Sequence, residues 1–122
     1  MEWTISFQSD HQIAIIETSG DADGESSLEM AKEISKVMAQ YKTKRLLVDH
    51  SAISSVSGSS IDIYYRPQKM NKIGIPSEIK IAEVVLPAHK EHFGFLKSVC
   101  LNFGFSFQIF NDKESAIQWL TE

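Results

Sequence analysis

Between His50 and Ser60 six of the eleven residues are serine, and Asp49 precedes them directly. Hydroxyls beside a carboxylate and an imidazole are the raw material of nucleophilic catalysis: the histidine takes the hydroxyl proton and the carboxylate orients the ring. In such a hydrolase Ser51 or Ser57 would attack, His50 or His89 would be the base, and Asp49 the orienter. Two features weigh against it. No Gly-x-Ser-x-Gly elbow presents a serine, and neighbouring residues of a strand point to opposite faces, so Asp49 and His50 should not serve one site. The reaction would require a serine and a histidine within about 3 Å, or bridged by one water, with oxyanion donors beside them.

Other groups admit similar tests. His89 and His92, three residues apart, would share a helical face, and His11, His50 or Glu91 could complete a zinc site. No Cys-x-x-Cys or His-Glu-x-x-His spacing accompanies them, so solvated surface histidines are the expectation, with no metal and no cofactor. Tyr64, Tyr65 and Arg66, with Lys69 and Lys72, set aromatic and basic groups on one segment, a composition suited to a protein interface or an anionic ligand. The serines have a further use. A helix N-terminus exposes free N–H groups and the positive end of the dipole, so a phosphate on Ser59 or Ser60 would be accommodated at the start of a following helix.

The elements that position these residues follow from hydrophobic period. Trp3, Ile5 and Phe7 alternate with polar residues, and Ile13, Ala14, Ile15 and Ile16 resume after Ser9-Asp10-His11, which reads as an antiparallel hairpin. Thr18–Gly24 reads as a loop. Leu28, Ala31, Ile34, Met38 and Tyr41 then recur at helical spacing. Arg45–Asp49 is a short apolar run, the mark of a strand covered on both faces, and the serine segment after it reads as a loop. A helix begins near Ile61 with Ser59 or Ser60 as N-cap, and Pro67 should kink or break it. Glu78–Pro87 is another buried strand and Ala88–Asn102 another helix, stopped by Gly104. Phe105–Phe110 is a fifth strand, and Asn111 or Asp112 caps a last helix with Ala116, Ile117 and Leu120 inward. The expected fold is therefore α/β: one domain over 1–122, with a mixed, mostly parallel five-stranded sheet, an N-terminal hairpin followed by βαβαβα, and helices packed on it.

Composition bounds the partners. The chain has 122 residues, 43% hydrophobic and 23% charged, with a net charge of −4. A chain of this length buries about 65% of its unfolded surface and needs no disulfide or metal to fold. The acidic balance disfavours nucleic acid, which demands a basic footprint. No stretch approaches the about 18 apolar residues of a membrane span. One cysteine, Cys100, and an N-terminus that runs straight into a strand pattern lead to the expectation of a reducing cytoplasm. A homodimer is the default for a small acidic domain rich in aromatics.

The order of elements, with Arg45-Leu-Leu-Val-Asp49, Lys80-Ile-Ala-Glu-Val-Val85 and Phe107-Gln-Ile-Phe-Asn-Asp112 leading into Ala116-Ile-Gln-Trp-Leu120, resembles the STAS family of anti-sigma factor antagonists, in its SpoIIAA-like branch. The resemblance implies a non-enzymatic regulatory domain that binds a regulatory protein. It also implies phosphorylation of a serine at the helix start after the third strand. Ser57-Gly58-Ser59-Ser60 occupies that place, so Ser59 corresponds to the modified residue, with Ser57 where the family has an acidic residue and Ser60 where it has glycine. The partner or ligand surface then comprises Asp49, His50, Ser57, Tyr64, Tyr65 and Arg66. The alternative is a small-molecule carrier holding an apolar or anionic ligand in a pocket of a few hundred Å³ between sheet and helices.

Overall fold

The computed structural model describes all 122 residues, Met1–Glu122. Five strands and four helices follow in the order β1 (Glu2–Gln8), β2 (Ile13–Ala22), α1 (Gly24–Tyr41), β3 (Arg45–Val56), α2 (Ser60–Ile73), β4 (Lys80–Val84), α3 (Lys90–Phe103), β5 (Ser106–Phe110) and α4 (Lys113–Leu120). The sheet order is β1-β2-β3-β4-β5. β1 pairs antiparallel with β2, and every later neighbour is parallel. This is the mixed sheet expected: a short turn can only reverse a chain, whereas a parallel neighbour needs a crossover, here supplied by a helix each time.

Strand alternation divides the apolar residues between two faces. One face carries Ala14 and Ile16 of β2, Leu46 and Val48 of β3, Ile81 of β4 and Phe107 of β5. These join Met30, Ala31, Ile34 and Met38 of α1, Ile63 of α2 and Phe93, Leu96 and Val99 of α3 in a core of 21 buried residues. The other face holds a cluster of only 6, Ile13, Leu47, Ala82 and Val84 beneath Ala116 and Leu120 of α4. The larger, three-helix side is therefore where the fold has depth enough to enclose polar chemistry. On the opposite side Lys80 Nζ donates to the Trp119 carbonyl at 2.6 Å and lies 4.3 Å from the indole centroid, pinning α4 to β4.

Four local expectations are corrected. β2 continues to Ala22 and β3 to Val56, so most of Thr18–Gly24 and of the serine segment is paired strand rather than loop, with Asp23 and Gly24 opening α1. Their register runs to Ala22↔Val56 through two shifts, between Glu17/Ser19 and Gly20/Asp21. Small polar residues read as loop when taken alone, but two such stretches side by side satisfy each other's backbone. α2 also runs unbroken past Pro67. The ring gives up one helical N–H, and its burial among α2 and α3 side chains offsets that loss. In α1 the stripe is carried by Met30, Ala31, Ile34 and Met38, while Leu28 is half-buried and Tyr41 is exposed. Ala88 belongs to a 3-10 turn, Pro87–His89, ahead of α3.

Caps mark the boundaries. Asp23, Ser59 and Asp112 accept from Ser26 N, Asp62 N and Ser115 N at the starts of α1, α2 and α4. Hydrogen bonds from Ser26 and Ser115 hold the Asp23 and Asp112 carboxyls below their ordinary range. Cys100 is fully buried, and burial followed by the Glu83 charge pushes its thiol up to about 12. Because the thiolate is the reactive species, native protein should resist iodoacetamide and be alkylated promptly in denaturant. Labelling of the native chain at the denatured rate would contradict the burial of α3.

Candidate functional site

The serine corner forms where β3 leaves the sheet and α2 begins. Ser57 N donates to the Ala22 carbonyl at 2.9 Å, so β2 still holds the chain there. Ser55 Oγ and Ser57 Oγ both donate to the Asp21 carboxylate at 2.7 Å. Those two bonds hold the Asp21 carboxyl below its ordinary value. Gly58 follows at φ +115, a left-handed turn that a side chain would strain. Ser59 is the N-cap, Ser60 the first helical residue, and both are exposed.

α2 then presents apolar groups to solvent. Ile61, Tyr64 and Tyr65 are 70%, 62% and 47% exposed, and the two tyrosines meet edge to face at 5.1 Å. Arg66 turns inward instead: its side chain is only 11% exposed and donates to Asp62 Oδ2 at 2.9 Å. Asp62 leans on the first residue of α1, since a Cβ on Gly24 would stand 2.3 Å from its Oδ2. Gly24→Ala should therefore push Asp62 off Arg66 and loosen α1 from α2. Thermal or urea denaturation should register a loss of about 1–2 kcal/mol. An unchanged or raised stability would show that Asp62 swings away freely.

Beneath α2 lies a buried polar cluster within the larger core. His50, on β3, is 4% exposed. Its Nδ1 is 2.7 Å from Thr18 Oγ1 on β2, and its Nε2 is 3.5 Å from Glu83 Oε1 on β4, itself 7% exposed. Thr18 Oγ1 donates to the Asp49 carbonyl at 3.1 Å. A hydroxyl has one proton, so His50 Nδ1–H donates to Thr18 and a further proton must sit on Nε2 or on Glu83 for those two to attract. At 3.5 Å the contact is an ion-pair distance, and Glu83 Oε1 has no hydrogen bond within the chain. Phe93 of α3 stacks on the imidazole at 4.5 Å. His92 is half-buried beside it. Burial, then the charge of Arg66, lowers the His92 pKa, so this ring is neutral at pH 7.

His50, Glu83, His92, Phe93 and Arg66, but not Thr18, help to line a largely apolar cavity of about 60 Å³. That is room for one or two waters. The histidine expectation is thus corrected: His89 and His92 are partly covered, not free on the surface, and no group of three His, Cys, Asp or Glu side chains converges as metal ligands. His50 is likewise removed from the expected surface, because its position in β3 turns it toward the helices. Asp49 points to the opposite face, where it accepts from Ser51 N at 2.9 Å and lies 3.8 Å from Lys113 Nζ. The alternation argument that separated the two holds.

No family model matches the chain, and no curated protein matches it in sequence. Solved structures match over nearly its whole length. An uncharacterised DUF3478-family protein with a SpoIIAA-like fold from Shewanella loihica is 18% identical with TM-score 0.59, over 98% of this chain and 92% of that one. An anti-sigma factor antagonist from Mycobacterium paratuberculosis is 14% identical with TM-score 0.63, over 99% and 94%. The anti-sigma factor antagonist SpoIIAA in its unphosphorylated form is 14% identical with TM-score 0.55, over 97% and 96%. The chain has a SpoIIAA-like STAS fold.

On this SpoIIAA-like frame the expected site residues fall into three groups. Ser57, Ser59, Ser60, Tyr64 and Tyr65 share one exposed corner, whereas His50 and Arg66 belong to the interior and Asp49 to the far face. Thr18 and Glu83, which complete the interior cluster, were not singled out from the sequence, and His92 was weighed only as a zinc ligand beside His89. Glu83 left a signal there: it is the one charge inside the apolar run Ile81–Leu86, and a lone charge in a covered strand needs a partner. Thr18 left none, because it stands at the head of a small polar stretch.

Proposed function

We propose that this chain is a non-enzymatic regulatory domain of the cytoplasm that acts by binding another protein through the corner from Ser57 to Tyr65. The observation that carries this reading is the uncovered apolar surface of α2: Ile61, Tyr64 and Tyr65 stand in solvent beside three exposed serines. Tyrosines at a site free of buried charge are typical anchors of protein interfaces. The likeness to anti-sigma factor antagonists supports the reading at the level of fold.

Phosphorylation of Ser59 or Ser60 is the proposed switch. A phosphate on Ser59 would take over the cap at Asp62 N and bring two negative charges to an exposed, already acidic corner. The dipole contributes only about 0.3–1 kcal/mol at such a site, so modification would gate the contact rather than refold the helix. The absence of catalysis is supported by chemistry. The one hydroxyl–imidazole pair, Thr18 with His50, is buried at 2% and 4% exposure, and Ser57 is bonded to a carboxylate whose lowered pKa makes it a weak base.

The carrier alternative needs a cavity of a few hundred Å³. The space beneath α2, about 60 Å³, is too small for such a ligand, and the groove of about 1080 Å³ between β1 and α1 is open to solvent and would not enclose one, so we do not adopt that reading. The test is intact mass on protein isolated from its own host, before and after phosphatase treatment. A phosphatase-sensitive increment mapping to Ser59 or Ser60 is the expected result, and its absence across growth states would remove the switch. Loss of partner binding by Tyr64→Ala/Tyr65→Ala in a folded variant would support the surface itself.

A further inference from the structure

The sheet has two edge strands, β1 and β5, and the β1 edge is independent of the serine corner. β1 has β2 on one side and no strand on the other, so half of its backbone N–H and C=O groups face outward without a ladder partner. Edge strands are ordinarily guarded by lysine, proline, a bulge or a covering segment. β1, Glu-Trp-Thr-Ile-Ser-Phe-Gln, contains neither lysine nor proline. Its register with β2 runs from Glu2↔Ser19 to Gln8↔Ile13 without a shift, and every residue in it is at least partly exposed.

The side-chain types of β1 are symmetric about Ile5. Trp3 mirrors Phe7, Thr4 mirrors Ser6, and Glu2 mirrors Gln8. We propose that β1 is the two-fold seam of a homodimer, pairing antiparallel with β1 of a second copy about an axis through Ile5. That register sets Trp3 opposite Phe7, Thr4 opposite Ser6 and Ile5 opposite itself. Aromatic pairs and hydroxyl pairs are among the favourable cross-strand neighbours, and a strand that complements its own reversal is what an isologous contact requires.

The aromatics are already held in place. The Trp3 indole N–H donates to Glu33, and Phe7 stacks on Tyr41 with centroids 4.1 Å apart and planes within 4°. α1 therefore runs beside β1 in the same direction, with Glu33 level with Trp3 and Tyr41 level with Phe7. Reversing the second copy brings its Glu33 level with Tyr41, next to the exposed Lys42 and Lys44. Opposite charges thus meet at both ends of the seam. An open groove of about 1080 Å³ borders the first half of β1 and the middle of α1, and continues inward to Thr18 and Ser19 of β2 and Ala52 of β3.

The register dictates the test. Ile5 shares a face with Ile16 and the large core, so Thr4 and Ser6 point to the other side, where both are exposed. Thr4→Lys/Ser6→Lys sets lysine against lysine twice, while Thr4→Lys/Ser6→Glu sets lysine against glutamate twice. Sedimentation equilibrium should show a wild-type dimer, a dissociation constant raised at least about tenfold in the first variant, and recovery in the second. Circular dichroism establishes that each is folded. Hydrogen exchange of the unaltered chain is a second readout: the outward amides of β1 should gain protection as concentration rises. A wild type monomeric at the highest concentration reached, β1 amides indifferent to concentration, a dimer unaffected by opposed lysines, or a folded lysine–glutamate variant that fails to dimerise would each overturn the proposal.

Discussion

His50→Leu should lower the unfolding free energy by about 3 kcal/mol at pH 7, while His50→Leu/Glu83→Leu should return to within about 1 kcal/mol of the parent chain. The asymmetry follows from what each change leaves behind. Glu83 is 7% exposed, its Oε1 has no hydrogen bond within the chain, and the His50 ring 3.5 Å away is its ion-pair contact. Leucine at position 50 keeps the volume but takes away the ion-pair contact of a carboxylate in a largely apolar chamber, where Arg66 and His92 are among the other polar side chains and room is left for one or two waters. Removing both groups deletes the buried charge and extends the surrounding core of Val48, Ile81 and Phe93. Thr18 keeps its bond to the Asp49 carbonyl throughout, so the double variant orphans no hydroxyl. Urea denaturation of the three proteins reads the cycle directly. A single variant as stable as the parent would mean that Glu83 does not depend on His50, its needs being met by water or by Arg66 in the same cavity. A double variant as unstable as the single one would mean that the histidine matters through packing rather than charge.

How much of this was legible beforehand depends on whether an element is decided by its own residues. The hairpin, the parallel strands and α1, α3 and α4 follow from period, because each buries a stripe that the side chains announce. The ends of β2 and β3 do not. Thr18, Ser19, Gly20, Ser54 and Ser55 have loop-like types; Ser19, Gly20 and Ser55 gain partners across β2 and β3, and Thr18 and Ser19 gain theirs from Trp3 and Glu2 of β1. Since Thr18 and His50 sit in or beside that extension, the interior cluster was hidden along with it. Pro67 shows the same limit in reverse: a local rule broke the helix, and burial against α3 kept it whole. The exposed corner was easier to find. Ser57, Ser59, Ser60, Tyr64 and Tyr65 are adjacent in the chain, so no long-range pairing had to be known to bring them together. Arg66 and His50 needed it, and those are the two that moved from the surface to the interior.

Phe93→Ala should cost about 3–5 kcal/mol and turn a space too small for an organic molecule into one that binds a small aromatic. Phe93 is 3% exposed, stacks on His50 at 4.5 Å and meets His92 edge-on at 4.9 Å. It is the α3 side chain that closes the chamber over the buried pair. Truncating it removes a ring's worth of packing and leaves a hole beside a cavity already about 60 Å³ in size. Dry apolar cavities of about 150 Å³ accept benzene, and binding to the folded state alone raises stability by mass action. The variant should therefore show a melting temperature that rises with added benzene or indole, while the parent's does not. Phe93→Leu, which keeps most of the volume, should lose less than about 1.5 kcal/mol and gain no ligand. Because Phe93 and His50 touch, the losses from Phe93→Ala and His50→Leu should fall short of additive when combined. A loss below about 1 kcal/mol for Phe93→Ala would place its ring outside the core. A melting temperature of the parent chain that rises with indole would instead reopen the carrier reading, since the chamber would then open without help from a mutation.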